Sequence, residues 1–298
     1  MRVLVSGATG LVGAALREAL QAGDHEVVRL VRRPQGDGPD EVGCDIEAGT
    51  LEQDKLEGIE AVVHLAGEGI SSQRWTDAFK SRIRDSRVAS TRLLAEAVCK
   101  LSTSPKVFLC ASAVGYYGSR GDEALDEDSG PGDDFLSSVC VEWEEAAQQA
   151  ASCGIRVVSA RIGVVLSADG GALGQMLPPF RLGGGGVMGD GEQYMSWIAH
   201  DDLLRALLFI LTTDSLSGPV NCVSPAPVTN RVFTKTLGRV LMRPTFVPLP
   251  ASIIKMSFGE MGQALLLSSQ RATPKKLLKA GFEFEFPDLE EALRHELR

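Results

Sequence analysis

The feature that most constrains this chain is a glycine turn at its start. Arg2-Val3-Leu4-Val5 is a short apolar run that ends in Ser6-Gly7-Ala8-Thr9-Gly10-Leu11-Val12-Gly13. Apolar Leu11, Ala15, Leu16, Ala19 and Leu20 then recur on one helical face. Gly23 stops the pattern, and Val27-Val28-Arg29-Leu30-Val31 follows as a second apolar run. Strand, glycine turn, helix, strand is the opening half of a dinucleotide-binding fold. The spacing is G-x-x-G-x-x-G. Gly7 turns the chain off the strand, and Gly10 lets backbone N–H groups approach a pyrophosphate at the positive end of the helix. Gly13 stands where a side chain would push the helix off the sheet. Such a turn can also be purely structural; its place between strand and helix favours the cofactor reading, with Thr9, Leu11 and Val12 beside the glycines.

The end of the second strand decides which dinucleotide is expected. An Asp or Glu there commonly meets a free ribose 2′-OH. Here the strand ends in Arg32-Arg33-Pro34, with no carboxylate until Asp37. Two guanidiniums suit a 2′-phosphate through charge-assisted contacts, so NADP(H) is expected over NAD(H). The alternative is a solvated basic strand end.

A formal charge of −9 argues against nucleic acid or an anionic membrane as the main partner. The six cysteines, at 44, 99, 110, 140, 153 and 222, are scattered without a C-x-x-C pair. Reduced, mostly buried thiols in the cytoplasm are therefore expected. Four histidines without ligand spacing predict no metal site. The first residues already read as a strand, so no signal peptide is expected, and no apolar run is long enough to cross a membrane.

Further along, Val42-Gly43-Cys44-Asp45-Ile46 reads as a short strand whose end, at Asp45, faces the adenine. Ala61 to Gly67 reads as the next strand. Ligands of open α/β sheets lie beyond the carboxyl ends of the strands, which places Leu65, Ala66 and Gly67 beside the cofactor. His64 in that run reads as a core histidine bonded locally. Trp75 to Lys100 has helical spacing, and Arg87, at the start of its apolar half, is expected to turn toward the cofactor's phosphates. Strands at 106–111 and 155–161 flank a helix over about 135–151. This alternation predicts an α/β, Rossmann-like, doubly wound parallel sheet. The glycine-dense stretch 169–191 suits a binding loop or lid better than a core element. A helix over 203–211 and a strand over 219–223 follow, and Phe282-Glu283-Phe284-Glu285-Phe286 alternates as a half-exposed strand.

The Gly7–Gly13 turn, Ala66-Gly67, Tyr117-Gly118, the Trp197–Asp202 segment and Pro225-x-Pro227-Val228-Thr229-Asn230 resemble the extended short-chain dehydrogenase/reductase superfamily. Arg74-Trp75, Ser86-Arg87, Trp143-Glu144 and Arg161-x-Gly163-x-Val165-Leu166 resemble more closely its atypical "epimerase family protein" branch, the YfcH-like relatives. The tail Ser269-Gln270-Arg271-Ala272-x-Pro274-x-x-Leu277-Leu278-x-x-Gly281-Phe282 resembles that branch's C-terminal region of unassigned function. The resemblance implies an NADP-binding Rossmann domain over 1–166, to which 200–224 return. A smaller C-terminal α+β lobe over 167–199 and 225–298 would close on a substrate cleft. It further implies that Thr9 to Val12 meet the pyrophosphate, Arg32 the 2′-phosphate, Leu65 and Ala66 the adenine-ribose side, Arg87 the place of a usual Asn, and Val164 the nicotinamide.

The resemblance breaks at the chemistry. The superfamily uses a Tyr to move a proton, a Lys four residues later that lowers its pKa, and a Ser or Thr that orients the carbonyl. No Tyr-x-x-x-Lys occurs anywhere in this chain, and Gly118 to Gln193 holds neither residue type. The helix that would carry the pair offers Phe135 or Leu136, then Val139 or Cys140. Four before Tyr117 stands Ala113, with Ser112 one step early. The candidates left for catalysis are Ser112, Tyr117, Cys140 and Glu68. Each also has a structural reading: a turn or helix cap, packing, an apolar helix position, and a solvated loop acid.

Two functions are consistent with these residues. The leading one is a cytoplasmic NADP(H)-binding oxidoreductase or epimerase acting on a small polar molecule, with nucleotide-linked sugars as one class. Its rival is a non-catalytic NADP(H) sensor or scaffold. The oligomeric state stays open, a homodimer included.

Overall fold

The apolar runs become strands buried on both faces, as parallel strands between two helical layers must be. The computed structural model describes residues 1–32, 38 and 40–298. In chain order, β1 (Arg2–Ser6) leads through α1 (Leu11–Ala22) to β2 (Glu26–Val31), β3 (Glu41–Asp45) and the short β4 (Thr50–Leu51). Then come β5 (Ala61–His64), α2 (Asp77–Val98), β6 (Val107–Ala113), β7 (Ala124–Leu125), α3 (Phe135–Gln148) and β8 (Arg156–Ile162). The chain continues through β9 (Val164–Leu166), α4 (Gly171–Arg181), β10 (Tyr194–Met195), β11 (Trp197–Ala199), α5 (His200–Thr212) and β12 (Gly218–Cys222). It closes with β13 (Val228–Thr229), α6 (Asn230–Val240), α7 (Ala251–Gly262), β14 (Arg271–Ala272), α8 (Lys275–Lys279) and α9 (Leu289–Glu296).

The main sheet runs β12-β8-β6-β5-β1-β2-β3-β4. Its pairs are parallel except β3 with β4 at the edge. The strand order reverses between β1 and β5, which puts the topological switch point beside the glycine turn. Alternate residues feed opposite cores. Val3, Val5, Ala61, Val63, Val107 and Leu109 pack with α1 and α5. Leu4, Val62, Phe108 and Cys110 pack with α2 and α3. A third core joins α4, β11, α6 and α9 around Phe180, Trp197 and Phe233.

The start of α2 is set by Thr76, whose hydroxyl accepts the Phe79 N–H at 3.2 Å. Among the described residues, no helix is long and apolar enough to cross a membrane.

Three expectations are corrected. Within the glycine-dense stretch, residues 171–181 form α4, with Leu173, Leu177 and Phe180 buried on one face despite Pro178 and Pro179 inside it. Spacing of three and four carries the helix, although the composition is that of a loop. Phe282 to Phe286 is not a strand; the N–H groups of Glu285 and Phe286 each reach the buried Asp202 carboxylate at 2.8 Å instead of a neighbouring ladder. Finally, not all six thiols are free. The end of α2 and the turn after α3 bring the Cα atoms of Cys99 and Cys153 to 5.5 Å, within disulfide range, and the two are bonded. Cys44, Cys110, Cys140 and Cys222 are free and buried.

Candidate functional site

The switch point is built from β1 outward. Gly7 has φ +67°, and a Cβ there would lie 2.9 Å from the Leu65 carbonyl, so the turn and the end of β5 touch through bare backbone. Gly10 caps α1 with no side-chain bond, and the first turn of the helix carries no acid. The positive end of α1 is thus left to whatever lies above it. Thr9 and Gly10 are exposed there, with Leu11 and Val12 half-buried beside them. Gly13 lies under the turn, where a Cβ would fall 2.1 Å from the Gly7 carbonyl oxygen.

Ser6 fastens the β5 end to this turn. Its hydroxyl oxygen accepts the N–H groups of Leu65 and Ala66, both at 3.1 Å, so its own proton points to His64 Nδ1 at 2.6 Å. His64 therefore carries its proton on Nε2, which faces Ser90 Oγ at 3.2 Å. The ring is fully buried, and that burial pushes its pKa down to about 4 from 6.5. His64 is a core histidine that shapes the loop.

This carries a sign for acid stability. Between pH 6.5 and 4 the unfolded chain binds a proton that the folded ring refuses, so stability is full above that window and falls as pH drops through it. The loss reaches roughly 3 kcal/mol at the acid end. Urea denaturation at steps across the window is expected to show this slope in the wild type and a shallower one in His64→Asn.

Beyond β5, Gly67 faces Arg87. A Cβ on Gly67 would lie 3.1 Å from the guanidinium carbon. Arg87 is half-buried, bonds the Ile83 carbonyl at 3.0 Å and lies 5.2 Å from the Trp143 ring centroid. Burial lowers its pKa, partly offset by Cys140 and Glu68. Arg32 is exposed just past β2; Arg33 lies outside the described residues. Asp45 is exposed at the end of β3, where it accepts the Ala48 N–H at 3.0 Å. Val164 opens β9, held by its N–H to the Ser196 carbonyl at 2.8 Å. The glycine turn, Leu65–Gly67 and Arg87 therefore share one end of the sheet.

The catalytic candidates fare differently. Ser112 donates to Glu144 Oε1 at 2.7 Å, and Glu144 is gripped by Arg161 through Nε and Nη2, both at 2.8 Å. Arg161 Nη1 donates to the Tyr117 hydroxyl at 3.1 Å, and that hydroxyl donates to Asn221 Oδ1 at 2.7 Å. Asn221 in turn donates to the Thr273 carbonyl at 2.9 Å. Every step has one polarity, because a guanidinium only donates and a carboxylate only accepts. Tyr117 is fully buried, with its proton committed to Asn221. Burial pushes its pKa up to about 12 against the pull of Arg161. Cys140 is pushed up to about 12 by burial and then by Glu144. The Tyr117 hydroxyl is bonded to Asn221 and Arg161, and burial raises both the Tyr117 phenol and the Cys140 thiol, which favours the protonated form of each. Ser112 is buried and spends its proton on Glu144. Glu68 is half-buried, its N–H bonded to Ser86 Oγ at 3.0 Å.

Residue patterns missed the Ser6–His64 hub and the Glu144–Arg161 pair as parts of the site. Arg161 inside an otherwise apolar strand was the available signal, since a charge buried there needs a partner.

A family model described as the NAD dependent epimerase/dehydratase family matches residues 3–222, and a domain of unknown function matches 249–296. An epimerase family protein of Mycobacterium bovis is 45% identical, over 98% of this chain and 96% of its own. The Homo sapiens epimerase family protein SDR39U1 is 39% identical, over 99% of both chains. Its crystal structure with NADPH, of isoform 2, superimposes with a TM-score of 0.89 at 38% identity, covering 99% of this chain and 98% of that one. A nucleoside-diphosphate sugar epimerase from Corynebacterium glutamicum is 39% identical with a TM-score of 0.80, covering all of this chain and 58% of that one.

Proposed function

The chain belongs to the NAD-dependent epimerase/dehydratase family, and from that premise we propose that it binds NADP(H) and acts on a small polar substrate. Nucleotide-linked sugars are the first class to test, because the Corynebacterium relative carries that name. The observation that carries the cofactor half is the uncapped start of α1, with Gly13 closed against Gly7 so that no side chain intervenes. Thr9 to Gly13 would take the pyrophosphate on backbone N–H groups. Arg32, with Arg33 next to it in sequence, would take the 2′-phosphate. Asp45, Leu65, Ala66 and Gly67 would line the adenosine side, and Arg87 and Val164 the nicotinamide side. The bound cofactor would supply or accept a hydride. The human relative's structure with NADPH supports the choice of NADP(H).

The test is a paired titration. NADPH is expected to bind more tightly than NADH, and Arg32→Ala to weaken NADPH by about tenfold or more, the worth of one charged hydrogen bond. NADH affinity should barely move in that variant. Tighter binding of NADH by the wild type would overturn the assignment.

One observation favours the second reading, a cofactor-binding protein without catalysis. The Tyr-x-x-x-Lys pair is absent, and the polar groups nearest its place are bonded to one another. Absorbance at 340 nm together with product analysis separates the two. A net oxidoreductase makes the absorbance rise or fall when bound cofactor meets a carbonyl or alcohol substrate, and an epimerase, which returns its hydride, leaves it unchanged while converting a sugar nucleotide to its epimer. A sensor changes neither the absorbance nor the composition of a wide panel.

A further inference from the structure

Among the described residues, the large apolar side chains that stay exposed all lie beyond Arg181 in the chain, and three are nearly bare. Leu182 is 88% exposed, Met242 85% and Phe246 87%. We propose that these three, with the cations around them, form a docking surface for a partner protein's acidic segment carrying a large apolar side chain. The surface shares no residue with the proposed cofactor site, so the inference stands apart from that reading.

The end of α6 gathers the three side chains. Met242 and Phe246 line one open groove of about 420 Å³ with Lys235, Arg239, Arg243 and Pro244. The loop after α6 folds back onto Gly238, where a Cβ would meet Thr245 Cγ2 at 2.4 Å. Leu182 joins from the end of α4. On one side of it Arg243 donates to the Arg181 carbonyl at 2.8 Å; on the other, a Cβ on Gly183 would lie 3.9 Å from Pro244. A lone exposed leucine or phenylalanine is ordinary, but three about one groove are not.

Met242 is also held there at a cost. The Met242 N–H bonds the Arg239 carbonyl at 3.1 Å, and the Arg243 N–H bonds the Gly238 carbonyl at 2.8 Å. This pattern closes a helix with its next residue in the left-handed region, where glycine is usual. Met242 takes that place with φ 54°. A strained backbone that presents an apolar side chain to water gives the fold nothing, and points to use of the side chain itself.

Charge selects the partner. The chain carries −9 overall, yet Arg181, Lys235, Arg239 and Arg243 are all exposed around this groove. Arg239 is paired with Glu290. Among the described residues, no carboxylate pairs with the other three. Two such faces repel each other, which argues against a twofold pairing of the surface with itself. An anionic bilayer would attract the cations but repel the chain as a whole, and a flat bilayer fills a groove poorly. A segment with Asp or Glu beside a Leu, Phe or Trp answers both features. Its carboxylates meet the unpaired cations, and its apolar side chain enters the groove beside Met242 and Phe246.

Random peptides displayed on phage and selected on the full chain supply the probe. The enriched peptides are expected to be acidic and to carry a large apolar residue. A fluorescent synthetic copy should bind Phe246→Ser about tenfold or more weakly than the wild type. Lys235→Glu with Arg243→Glu should slow association by about tenfold and remove its salt dependence. Met242→Gly separates docking from folding. It should raise the melting temperature by about 2 °C, because glycine suits the left-handed region, and still weaken the peptide by about threefold or more. Failure to enrich acidic peptides, or equal affinity of the wild type and Phe246→Ser for them, overturns the proposal. Flotation with phosphatidylglycerol vesicles in place of peptide binding, abolished in Phe246→Ser, would overturn it in favour of a membrane. A dimer in sedimentation that Phe246→Ser dissolves would give the surface to a second copy of the chain instead.

Discussion

Replacing Glu144 with glutamine is expected to destabilise the protein by about 3–5 kcal/mol, the usual result of removing one partner of a buried ion pair. Arg161 has 3% of its side chain exposed and sits among β8, α3 and the turn after β6, with Glu144 as its bidentate counter-ion. Burial works against its charge, and the two bonds to Glu144 raise its pKa regardless, so it stays a cation. A neutral amide leaves that cation unpaired and offers N–H where Ser112 and Arg161 both donate. The melting temperature should fall by roughly 5–8 °C for a chain of this size. Guanidinium denaturation of E144Q and of a Glu144→Met, Arg161→Met double variant checks the cause. The double variant should recover much of the loss, since it buries no charge. Should E144Q melt within about 2 °C of the wild type, the pair is not the anchor its geometry indicates.

That network also explains what residue patterns could and could not reveal. Val3 to Val5, Val62 and Val63, and Val157 and Val158 were legible as strands because parallel strands are apolar on both sides, and a run of such residues needs no alternation to be read. The glycine turn was legible because its three glycines stand at fixed offsets between a strand and a helix. The helix α4 was not, because glycine and proline take four of its eleven positions while Leu173, Leu177 and Phe180 do the packing. Phe282 to Phe286 alternates in burial as a strand does, yet no strand edge meets it and Asp202 serves its N–H groups.

Partnerships across long stretches of sequence were beyond pattern reading altogether. Cys99 and Cys153 are separated by 54 positions, and Tyr117 and Asn221 by 104. Tyr117 reads as a catalytic candidate in the sequence because chemistry follows residue type. Whether it acts depends on its partners, and these come from α3, β8, β12 and the strap near Thr273. The glycine turn and the strand end it touches are close in the chain and could be read. The Glu144–Arg161–Tyr117–Asn221 network is assembled from distant pieces and could not.

The glycine turn yields the other large effect, because two of its glycines should fail in different ways. In Gly13→Ala the new methyl would lie 2.1 Å from the Gly7 carbonyl oxygen and 2.8 Å from its carbon, both backbone atoms that no rotamer change can move. The start of α1 must shift away from β1 by roughly 1 Å, which costs about 1–3 kcal/mol as overpacking and carries the helix amides off the pyrophosphate. With two charged hydrogen bonds weakened, NADPH affinity should fall by about a hundredfold or more. Gly10 has φ −77° and ψ 170°, open to any residue, and its Cβ would come no nearer than 3.4 Å to the Gly7 oxygen. Gly10→Ala should therefore keep the wild-type melting temperature and still lose NADPH, because its methyl would enter the space that the proposed binding mode gives to the diphosphate. Thermal melts beside fluorescence titrations distinguish the two cases. A stable Gly10→Ala protein that binds NADPH as tightly as the wild type would place the diphosphate somewhere other than the head of α1.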